Sequence, residues 1–232
     1  MATPQDNIID STSIHSDFSQ RIVITPKDYL WQPSLIEGVE QIVLEHAVRD
    51  GLRSSSIIRY TKNIILTGRL HGNEEFYVLE GIYSDESGEH AAGSYLRYPA
   101  GVSHTYKIGT EGATLFLKSN QIGKGDLQQV IMDTNVCQWR QGLVEGLNVI
   151  SLHEFEGEHV ALVKWAPHTQ FNTHKHWGGE EIFVLEGIFH DEYGQYSKGS
   201  WLRSPHMSQH TPYTEKEGAL IYVKVGHLIG HK

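Results

Sequence analysis

An internal repeat constrains the fold of this chain more than any other feature of its sequence. The segment from Glu74 to His104 aligns without a gap with the segment from Glu180 to His210. Both segments contain VLEGI, and SYLR in the first matches SWLR in the second. Because similarity of this kind indicates a duplicated structural unit, we predict two homologous domains, at residues 36–125 and 126–232. Residues 1–35 would form an N-terminal extension.

Short apolar runs predict that both domains are all-β. Runs such as EEFYVLEG, ATLFLK, EEIFVLEG and ALIYVKV are rich in β-branched and aromatic residues, and turn-forming clusters such as DEYGQYSKG separate them. This spacing is typical of a sandwich or a barrel. Only two stretches look helical. One begins at Pro26, where Thr25 could cap a short turn, and the other lies near residues 130–139.

Composition and charge exclude several classes of protein. The chain of 232 residues is 39% hydrophobic and 20% charged, as in a soluble globular protein. It contains no apolar run of the roughly 18 residues that a membrane span needs, and we expect a cytoplasmic protein without a membrane partner. The net charge of −9, without a basic run, argues against a nucleic-acid partner. Cys137 is the only cysteine, which excludes an internal disulfide and a cysteine-based zinc site.

The C-terminal repeat contains four side chains that suit a metal ion. His174 and His176 would point to the same face of a strand, because side chains two residues apart do so. Glu180 follows closely, and His210 comes thirty residues later. Strand alternation would turn the neighbouring Glu181 to the other face. In a chain with 15 histidines an isolated His-x-His is often two solvated rings, so the flanking spacing decides between the two interpretations.

That spacing resembles the two sequence motifs of the cupin superfamily. His174-x-His176, three residues, Glu180, six residues and Gly187 resemble the first motif, and Gly199, five residues, Pro205 and His210 resemble the second. The second motif departs from the usual pattern at Met207, where cupins usually have Gly, and at Thr214, where they usually have Asn. The resemblance implies a double-stranded β-helix, the eight-stranded jelly roll, repeated twice. It also implies that His174, His176, Glu180 and His210 bind one divalent metal ion.

The metal cannot be chosen from these ligand types. Imidazole and carboxylate ligands without a thiolate suit Zn and Fe(II), the leading candidates, and also Mn, Ni or Co. Four protein ligands would close the shell of a tetrahedral zinc ion, whereas a five- or six-coordinate metal would keep positions open for a substrate or O₂. Trp177, Trp201, Met207 and Tyr213 are candidates to line an apolar pocket beside the metal, although aromatic residues in a jelly roll are usually core. No catalytic residue can be assigned.

The N-terminal repeat has a degenerate version of this site. Aligning the repeats with one deletion after His71 puts Arg69 at the place of the first histidine and His71 at the place of the second, with Glu74 and His104 completing the set. An arginine cannot bind a cation, because its guanidinium stays protonated. We interpret this repeat as a structural duplicate with a weakened or vacant site. Two alternatives stay open: Arg69 anchors an acidic ligand, or His71, Glu74 and His104 form a three-ligand site.

The segment from His174 to His227 more closely resembles the cupin domain of the anti-sigma factor ChrR and its relatives. That resemblance implies a metal site of two His, one Glu and a third His. Related cupins include enzymes that cleave carbon–carbon bonds of β-diketones or hydroxylated aryl ketones with Fe(II) and O₂. Two functions therefore stay open: a metal-dependent oxygenase, which we rank first, and a non-catalytic metal-binding regulatory or sensor protein.

The partners expected from this resemblance follow from what the sequence contains. ChrR-type regulators hold a sigma factor through a helical N-terminal domain with its own His and Cys zinc ligands. Residues 1–35 are too short for that domain and Cys137 is the only cysteine, so we do not expect a sigma-factor partner. We expect a small-molecule ligand or substrate, and a homodimer is the candidate assembly.

Overall fold

The computed structural model describes residues 12–49, 51–62 and 66–228. Within these ranges nearly all regular structure is β, which confirms the all-β prediction, and the one helix is a short 3-10 helix at Pro26–Asp28. The strands are β1 Ile22–Ile24, β2 Gln32–Pro33, β3 Val39–Ala47, β4 Arg53–Tyr60, β5 Leu66–His71, β6 Glu74–Asp85, β7 Gly88–Ala91, β8 Ser94–Tyr98, β9 Ser103–Ser119, β10 Val130–Asp133, β11 Arg140–Gln141, β12 Leu147–Phe155, β13 Glu158–Trp165, β14 His174–Lys175, β15 Glu180–Asp191, β16 Gly194–Ser197, β17 Trp201–Ser204, β18 Gln209–His210 and β19 Ala219–Val225.

The described residues form two compact units. The first contains residues 12–16 and 30–136, and the second contains residues 17–29 and 137–228. In the first unit the strand order is β10-β8-β6-β9-β4-β3-β2, with β5 paired to β9 and β7 to β6. In the second it is β1-β17-β15-β19-β13-β12-β11, with β16 paired to β15 and β14 to β18. Every pairing is antiparallel, as a jelly roll requires.

One edge strand of each unit comes from outside the repeat that it extends. Strand β1 pairs with β17, with Ile22 opposite Arg203, although it precedes the first repeat in the sequence. Strand β10 pairs in the same way with β8, with Val130 opposite Arg97. Since Arg97 and Arg203 correspond in the repeat, β1 and β10 are equivalent additions. The second unit therefore includes the short segment of residues 17–29.

The glycine that ends the first motif is required by the backbone. Strand β15 has a bulge between Val184 and Glu186, and Gly187 follows it with φ of 70°. A Cβ atom at Gly187 would lie 2.2 Å from the carbonyl oxygen of Gly218. The matching Gly81 has φ of 73°, and its Cβ would meet the Gly112 carbonyl oxygen at 2.1 Å. Both repeats therefore bend their long strand at a position that only glycine can occupy.

The two helix predictions have different outcomes. Pro26–Asp28 forms a 3-10 helix, and the Asp28 carboxylate accepts a hydrogen bond from the Thr25 backbone N–H at 2.8 Å. The predicted helix at residues 130–139 is wrong, because residues 130–133 form β10. Partly buried and exposed residues alternate along β10, which is the two-residue period of a strand at a sheet edge. No helix in the described part of the chain has the length and hydropathy of a membrane span.

Candidate metal centre

Strand pairing brings the three predicted histidine ligands of the second unit together. His174 on β14 lies directly opposite His210 on β18, and His176 follows two residues later. The ring centroids are 4.5 Å apart for His174 and His176, 4.8 Å for His174 and His210, and 4.9 Å for His176 and His210. One ring nitrogen from each residue lies within 4.8 Å of the other two. A histidine triad is therefore present.

Glu180, the first residue of β15, directs its buried carboxylate at the triad. Its Oε1 lies 3.5 Å from Nε2 of His176, and its Oε2 lies 3.5 Å from Nε2 of His210. The neighbouring Glu181 points the other way, where its carboxylate accepts hydrogen bonds from Trp201 Nε1 at 2.7 Å and pairs with His227 Nε2 at 3.2 Å. The carboxylate expected to complete the metal site thus lies against two of the three histidines.

A hydrogen bond orients one of the imidazole rings with Nε2 inward, and an ion pair orients another. Nδ1 of His174 donates to the carbonyl oxygen of Asn172 at 2.9 Å, which leaves the Nε2 lone pair of that ring available. Nδ1 of His210 faces the carboxylate of Asp191, and its Nε2 lies 3.0 Å from Nε2 of His176. A metal ion needs this neutral, inward lone pair from each ring.

Burial lowers the pKa of two of these four groups and so prepares them for the unprotonated state that metal binding requires, whereas the pKa of the other two is raised. Burial lowers the pKa of His174, and burial together with His210 and His174 lowers the pKa of His176 to about 3. Burial also raises the pKa of the Glu180 carboxyl to about 7, because a carboxylate loses its hydration there. For His210, burial is outweighed by Asp191 and Glu180, which raise its pKa. A metal ion would thus displace protons from Glu180 and His210.

The distances among the donor atoms of His176, His210 and Glu180 fit a single divalent ion, while the ring nitrogens of the whole triad lie within 4.8 Å of one another. With metal–ligand bonds of about 2.1 Å, two ligands are about 3.0 Å apart at a right angle and about 3.4 Å apart at the tetrahedral angle. The observed separations are 3.0 Å between Nε2 atoms of His176 and His210, and 3.5 Å from each of these atoms to Glu180. Three imidazoles and a carboxylate are also a common donor set for Zn and Fe(II). The residues present therefore fit the metal that the cupin resemblance implies.

A cavity of about 170 Å³ opens beside this cluster. His174, Glu180 and His210 contribute its polar wall. The other lining residues are apolar: Leu143, Leu147, Val149, Val163, Trp165, Phe171, Phe189, Pro212, Ile221 and Val223. Among these described lining residues none is lysine or arginine. The site thus joins a metal-binding cluster to a small apolar chamber without a cationic group.

The four residues predicted to line a pocket lie elsewhere. Trp177 is 67% exposed and packs against His206, and Met207 is 45% exposed. Trp201 is fully buried and bonded to Glu181, because strand alternation turns it away from the cavity. Tyr213 stacks on His190 and lines a separate surface depression. The apolar walls of the cavity come instead from β12, β13, β15 and β19. The sequence predicted the inward residues of these strands only as core residues.

The register of the N-terminal repeat differs from the sequence alignment. Leu70, and not Arg69, lies opposite His104, so Leu70 occupies the place of His174. The backbone N–H of Gly72 bonds the carbonyl of Val102 as the N–H of His176 bonds that of Ser208, so Gly72 occupies the place of His176. The first repeat is therefore two residues shorter in the loop before Glu74. Of these four positions, only Glu74 and His104 retain a ligand-capable residue.

The side chains of Arg69 and His71 face away from the barrel interior. Both residues are exposed, and Arg69 Nε donates to the hydroxyl of Ser103 at 2.6 Å on the outer face. Leu70 between them is buried, as alternation on a strand requires. Glu74 and His104 are buried within the unit. The strand thus separates Arg69 and His71 from the other two residues of the predicted degenerate site.

Tyrosine rings occupy the space around His104. The Tyr83 hydroxyl lies 3.0 Å from His104 Nε2, and the Tyr98 ring stacks on His104 with centroids 3.7 Å apart. In the second repeat the corresponding residues are Phe189, which has no hydroxyl, and Ser204, which has no ring. In His210 the Nε2 atom faces the other candidate ligands. In His104 the same atom is instead hydrogen-bonded to the Tyr83 hydroxyl.

The residues behind His210 were not predicted from the sequence. Nδ1 of His210 lies 3.7 Å from Oδ2 of Asp191. The Asp191 carboxylate also accepts hydrogen bonds, from Arg21 at Oδ2 and from Tyr196 at Oδ1. Asp191 has a counterpart at Asp85, so its recurrence in both repeats was a signal that could have marked it. Nothing near Arg21 in the sequence indicates a link to residues so distant in the chain.

The sequence model of the ChrR Cupin-like domain matches residues 19–123 and again residues 127–229. These two matches cover most of the chain. The chain belongs to the ChrR cupin-like family. Among curated proteins no significant match to this ChrR cupin-like chain was found.

Solved structures similar to this family member share its fold. A putative dioxygenase from Nostoc punctiforme is 18% identical over 91% of this chain and 84% of its own, with a TM-score of 0.75. Protein Ylba from E. coli is 15% identical over 97% of each chain, with a TM-score of 0.69. A mutant of Bacillus subtilis oxalate decarboxylase is 15% identical over 90% of this chain and 78% of its own, with a TM-score of 0.62. At these identities the similarity shows the cupin fold alone.

Proposed function

We propose that this ChrR cupin-like protein is a metal-dependent oxygenase acting on a small oxygenated organic compound of the β-diketone or hydroxyketone class. His174, His176, Glu180 and His210 would hold one divalent ion, with Fe(II) as the working metal. The bound metal supplies a Lewis acid and a binding position for substrate oxygens and O₂. The putative dioxygenase among the solved structures is consistent with this class of reaction.

The observation that carries the proposal is the apolar cavity beside the four polar residues. Its volume of about 170 Å³ is close to the roughly 150 Å³ of an apolar cavity that holds benzene, so it suits a substrate of about that size. Leu147, Trp165, Phe171 and Phe189 would pack against the hydrocarbon part and exclude water from it. The substrate oxygens would then face the end of the cavity where His174 and Glu180 lie.

The charge of the lining separates this substrate class from small dicarboxylates. A dianion such as oxalate would bring two negative charges into a chamber whose lining contains no lysine or arginine and already includes the Glu180 carboxyl. The divalent ion and the Glu180 carboxylate together carry one net positive charge, so a dianion would leave one buried negative charge uncompensated, which is costly. A neutral ketone that binds as a single enolate avoids most of that cost. The oxalate decarboxylase among the solved structures therefore shares the fold without indicating the substrate.

Oxygen consumption by the iron-loaded protein tests this proposal. The protein is reconstituted anaerobically with Fe(II) and supplied with an acyclic β-diketone, a hydroxylated aryl ketone or oxalate. We expect O₂ uptake with one of the ketones, none with oxalate, and loss of uptake in His176→Ala. His104→Ala, at the matching second-motif position of the first repeat, is the control and should retain uptake. Uptake by oxalate alone, or equal uptake by His176→Ala, would contradict the proposal.

The family match favours a second candidate, a metal-binding regulatory protein without catalysis. The matched family is described by its likeness to the ChrR cupin, and both repeats match it. Four protein ligands can close the coordination shell of a zinc ion, which suits a structural or sensory site. About one tightly bound Zn per chain in protein purified without added metal, together with no O₂ uptake after iron loading, would favour this candidate.

A further inference from the structure

The carboxylate of Asp191 is held in one position behind His210. Its Oδ1 accepts hydrogen bonds from the Tyr196 hydroxyl at 2.7 Å and from the backbone N–H groups of Tyr193 and Gly194 at 2.8 and 3.1 Å. Its Oδ2 faces Nδ1 of His210 at 3.7 Å, an ion-pair distance longer than a hydrogen bond. With Oδ1 fully used, Oδ2 is the atom that can act on His210.

Arg21, from the segment before the first repeat, anchors that same Oδ2 atom. Its Nη2 donates to Asp191 Oδ2 at 2.6 Å and to the Tyr196 hydroxyl at 2.8 Å. Its guanidinium lies over the Tyr193 ring, 4.6 Å from the centroid, where a cation is attracted to the ring face. The Asp191 side chain is 1% exposed, so an anion there needs this cationic partner. Arg21 is thus fixed from two sides against the carboxylate that faces His210.

The first repeat lacks this arrangement although it retains the aspartate. In the strand register Val130 matches Ile22, so Gln129 takes the place of Arg21, and it is exposed. Asp85, the counterpart of Asp191, accepts instead from the Tyr98 hydroxyl and pairs with His90 at 2.9 Å. The arginine is present only in the unit whose histidines converge.

We propose that Arg21 and Asp191 are positioning residues for the metal site, an inference that rests on the proposed function. Arg21 holds Asp191 as an anion with Oδ2 directed at Nδ1 of His210. That carboxylate keeps a proton on Nδ1 and orients the ring, so that His210 presents an unprotonated Nε2 to the metal. Carboxylates that act on a ligating histidine in this way typically change metal affinity by about 10- to 100-fold. The N-terminal segment thereby contributes to a site formed by residues between positions 174 and 210.

Metal affinity of the full chain tests this role directly. The Kd for Co(II) is measured by chelator competition for the wild type, Arg21→Gln, Arg21→Lys and Asp191→Asn, and the visible Co(II) spectrum is recorded for each. We expect a Kd about 10- to 100-fold weaker for Asp191→Asn and about 10-fold weaker for Arg21→Gln, with shifted absorption bands. Arg21→Lys should recover most of the affinity because it keeps the charge. Long-range ¹H–¹⁵N spectra of the metal-free protein at alkaline pH, where the His210 ring is neutral, should show its proton on Nδ1 in the wild type and a redistribution of that proton in Asp191→Asn.

Two matched controls separate positioning from a general effect on folding. Asp85→Asn changes the equivalent carboxylate of the first repeat, and Arg59→Gln removes an arginine from an ion pair with Glu40 at 2.5 Å. Both should leave the Kd for Co(II) unchanged. Arg21→Gln and Asp191→Asn proteins that bind Co(II) as tightly as the wild type, with lower Tm values alone, would overturn the inference and leave the proposed function standing. A wild-type protein that binds no divalent metal would instead contradict both the inference and the proposed function.

Discussion

The two repeats have the same strand pairings but different interiors. Glu74 pairs with Tyr98 and Ser119, as Glu180 pairs with Ser204 and Val225. Inside that common frame, the first repeat has Leu70 and Gly72 at two of the histidine positions and tyrosine rings around the third. The second has kept three histidines beside a small cavity. The two repeats therefore differ both in their candidate ligands and in the space beside those ligands.

Tyr83 and Tyr98 show why these changes belong together. A buried imidazole that binds no metal still needs hydrogen-bond partners, because an unsatisfied buried polar group costs about 1–3 kcal/mol. In the first repeat the Tyr83 hydroxyl satisfies Nε2 of His104, and Tyr98 covers the ring. In the second repeat Phe189 and Ser204 leave the matching nitrogen of His210 facing the other histidine and Glu180. In the first repeat the tyrosines are the partners of His104, at the position where His210 would bind a metal ion.

The largest effect is expected from removing the equivalent histidine of each repeat. His210→Ala should abolish metal binding, because it removes one of the four ligands and its partner Asp191 then lies buried beside an empty space. His104→Ala should leave metal content unchanged and only lower stability, because Tyr83 loses its partner. Elemental analysis of the purified proteins measures both. Equal loss of metal from the two variants would mean that the first repeat binds metal as well.

Tyr98 and Ser204 occupy equivalent positions, and we expect substitutions that exchange them to alter stability in the first repeat and metal binding in the second. Tyr98→Ser removes a buried ring and its hydrogen bond to Asp85, and should lower the free energy of unfolding by about 3–5 kcal/mol, as for other large aromatic truncations. Ser204→Tyr should place a ring against His210, as Tyr98 lies against His104, and prevent metal binding. Denaturant unfolding and metal analysis give the two readouts. A Ser204→Tyr protein that binds metal normally would show that Tyr98 does not explain the difference between the repeats.

Glu180 should make the metal-free protein less stable as the pH rises. Its pKa of about 7 lies above the ordinary value of 4.5, so between these values the folded state keeps a proton that the unfolded state releases. This contribution is complete below pH 4.5 and is lost as the pH rises through 7. Glu180→Gln lacks it.

Raising the pKa of Glu180 from 4.5 to about 7 corresponds to about 3 kcal/mol in the free energy of unfolding. Chelator-treated protein provides the test. The free energy of unfolding of the wild type, relative to that of Glu180→Gln, should fall by about this amount between pH 4.5 and 7.5. His176, whose lowered pKa acts in the opposite direction, is present in both proteins and cancels, whereas His210, whose pKa Glu180 helps to raise, adds to the fall in the same direction. A difference independent of pH would show that Glu180 is already ionised without metal.

The fold and the converging residues of the second unit could be predicted because both depend on local periods. Alternation separates Glu180 from Glu181, and the His-x-His spacing places two rings on one face. The first repeat was misaligned because its loop is two residues shorter before Glu74, and matching residue types there favoured Arg69 and His71. The pairing of Leu70 with His104 and the hydrogen bond from Gly72 to Val102 reveal the true register. The role of Arg21 could not be predicted from the sequence. Its link to Asp191 depends on β1 pairing with β17, a strand that lies far away in the sequence.

The smallest effect concerns the one glycine of the second motif that the repeats do not share. Met207 has φ of 61°, in the left-handed region, and the corresponding Gly101 has φ of 88°. A residue with a Cβ atom costs roughly 1–2 kcal/mol in that conformation, whereas glycine adopts it freely. Met207→Gly should therefore stabilise the protein by about 1 kcal/mol, and Gly101→Ala should destabilise it by a similar amount, both measured by denaturant unfolding. Because the Met207 side chain is 45% exposed, little packing is lost to offset the gain. A destabilised Met207→Gly would show instead that the methionine side chain stabilises the loop next to His210, a role that the first repeat does not need.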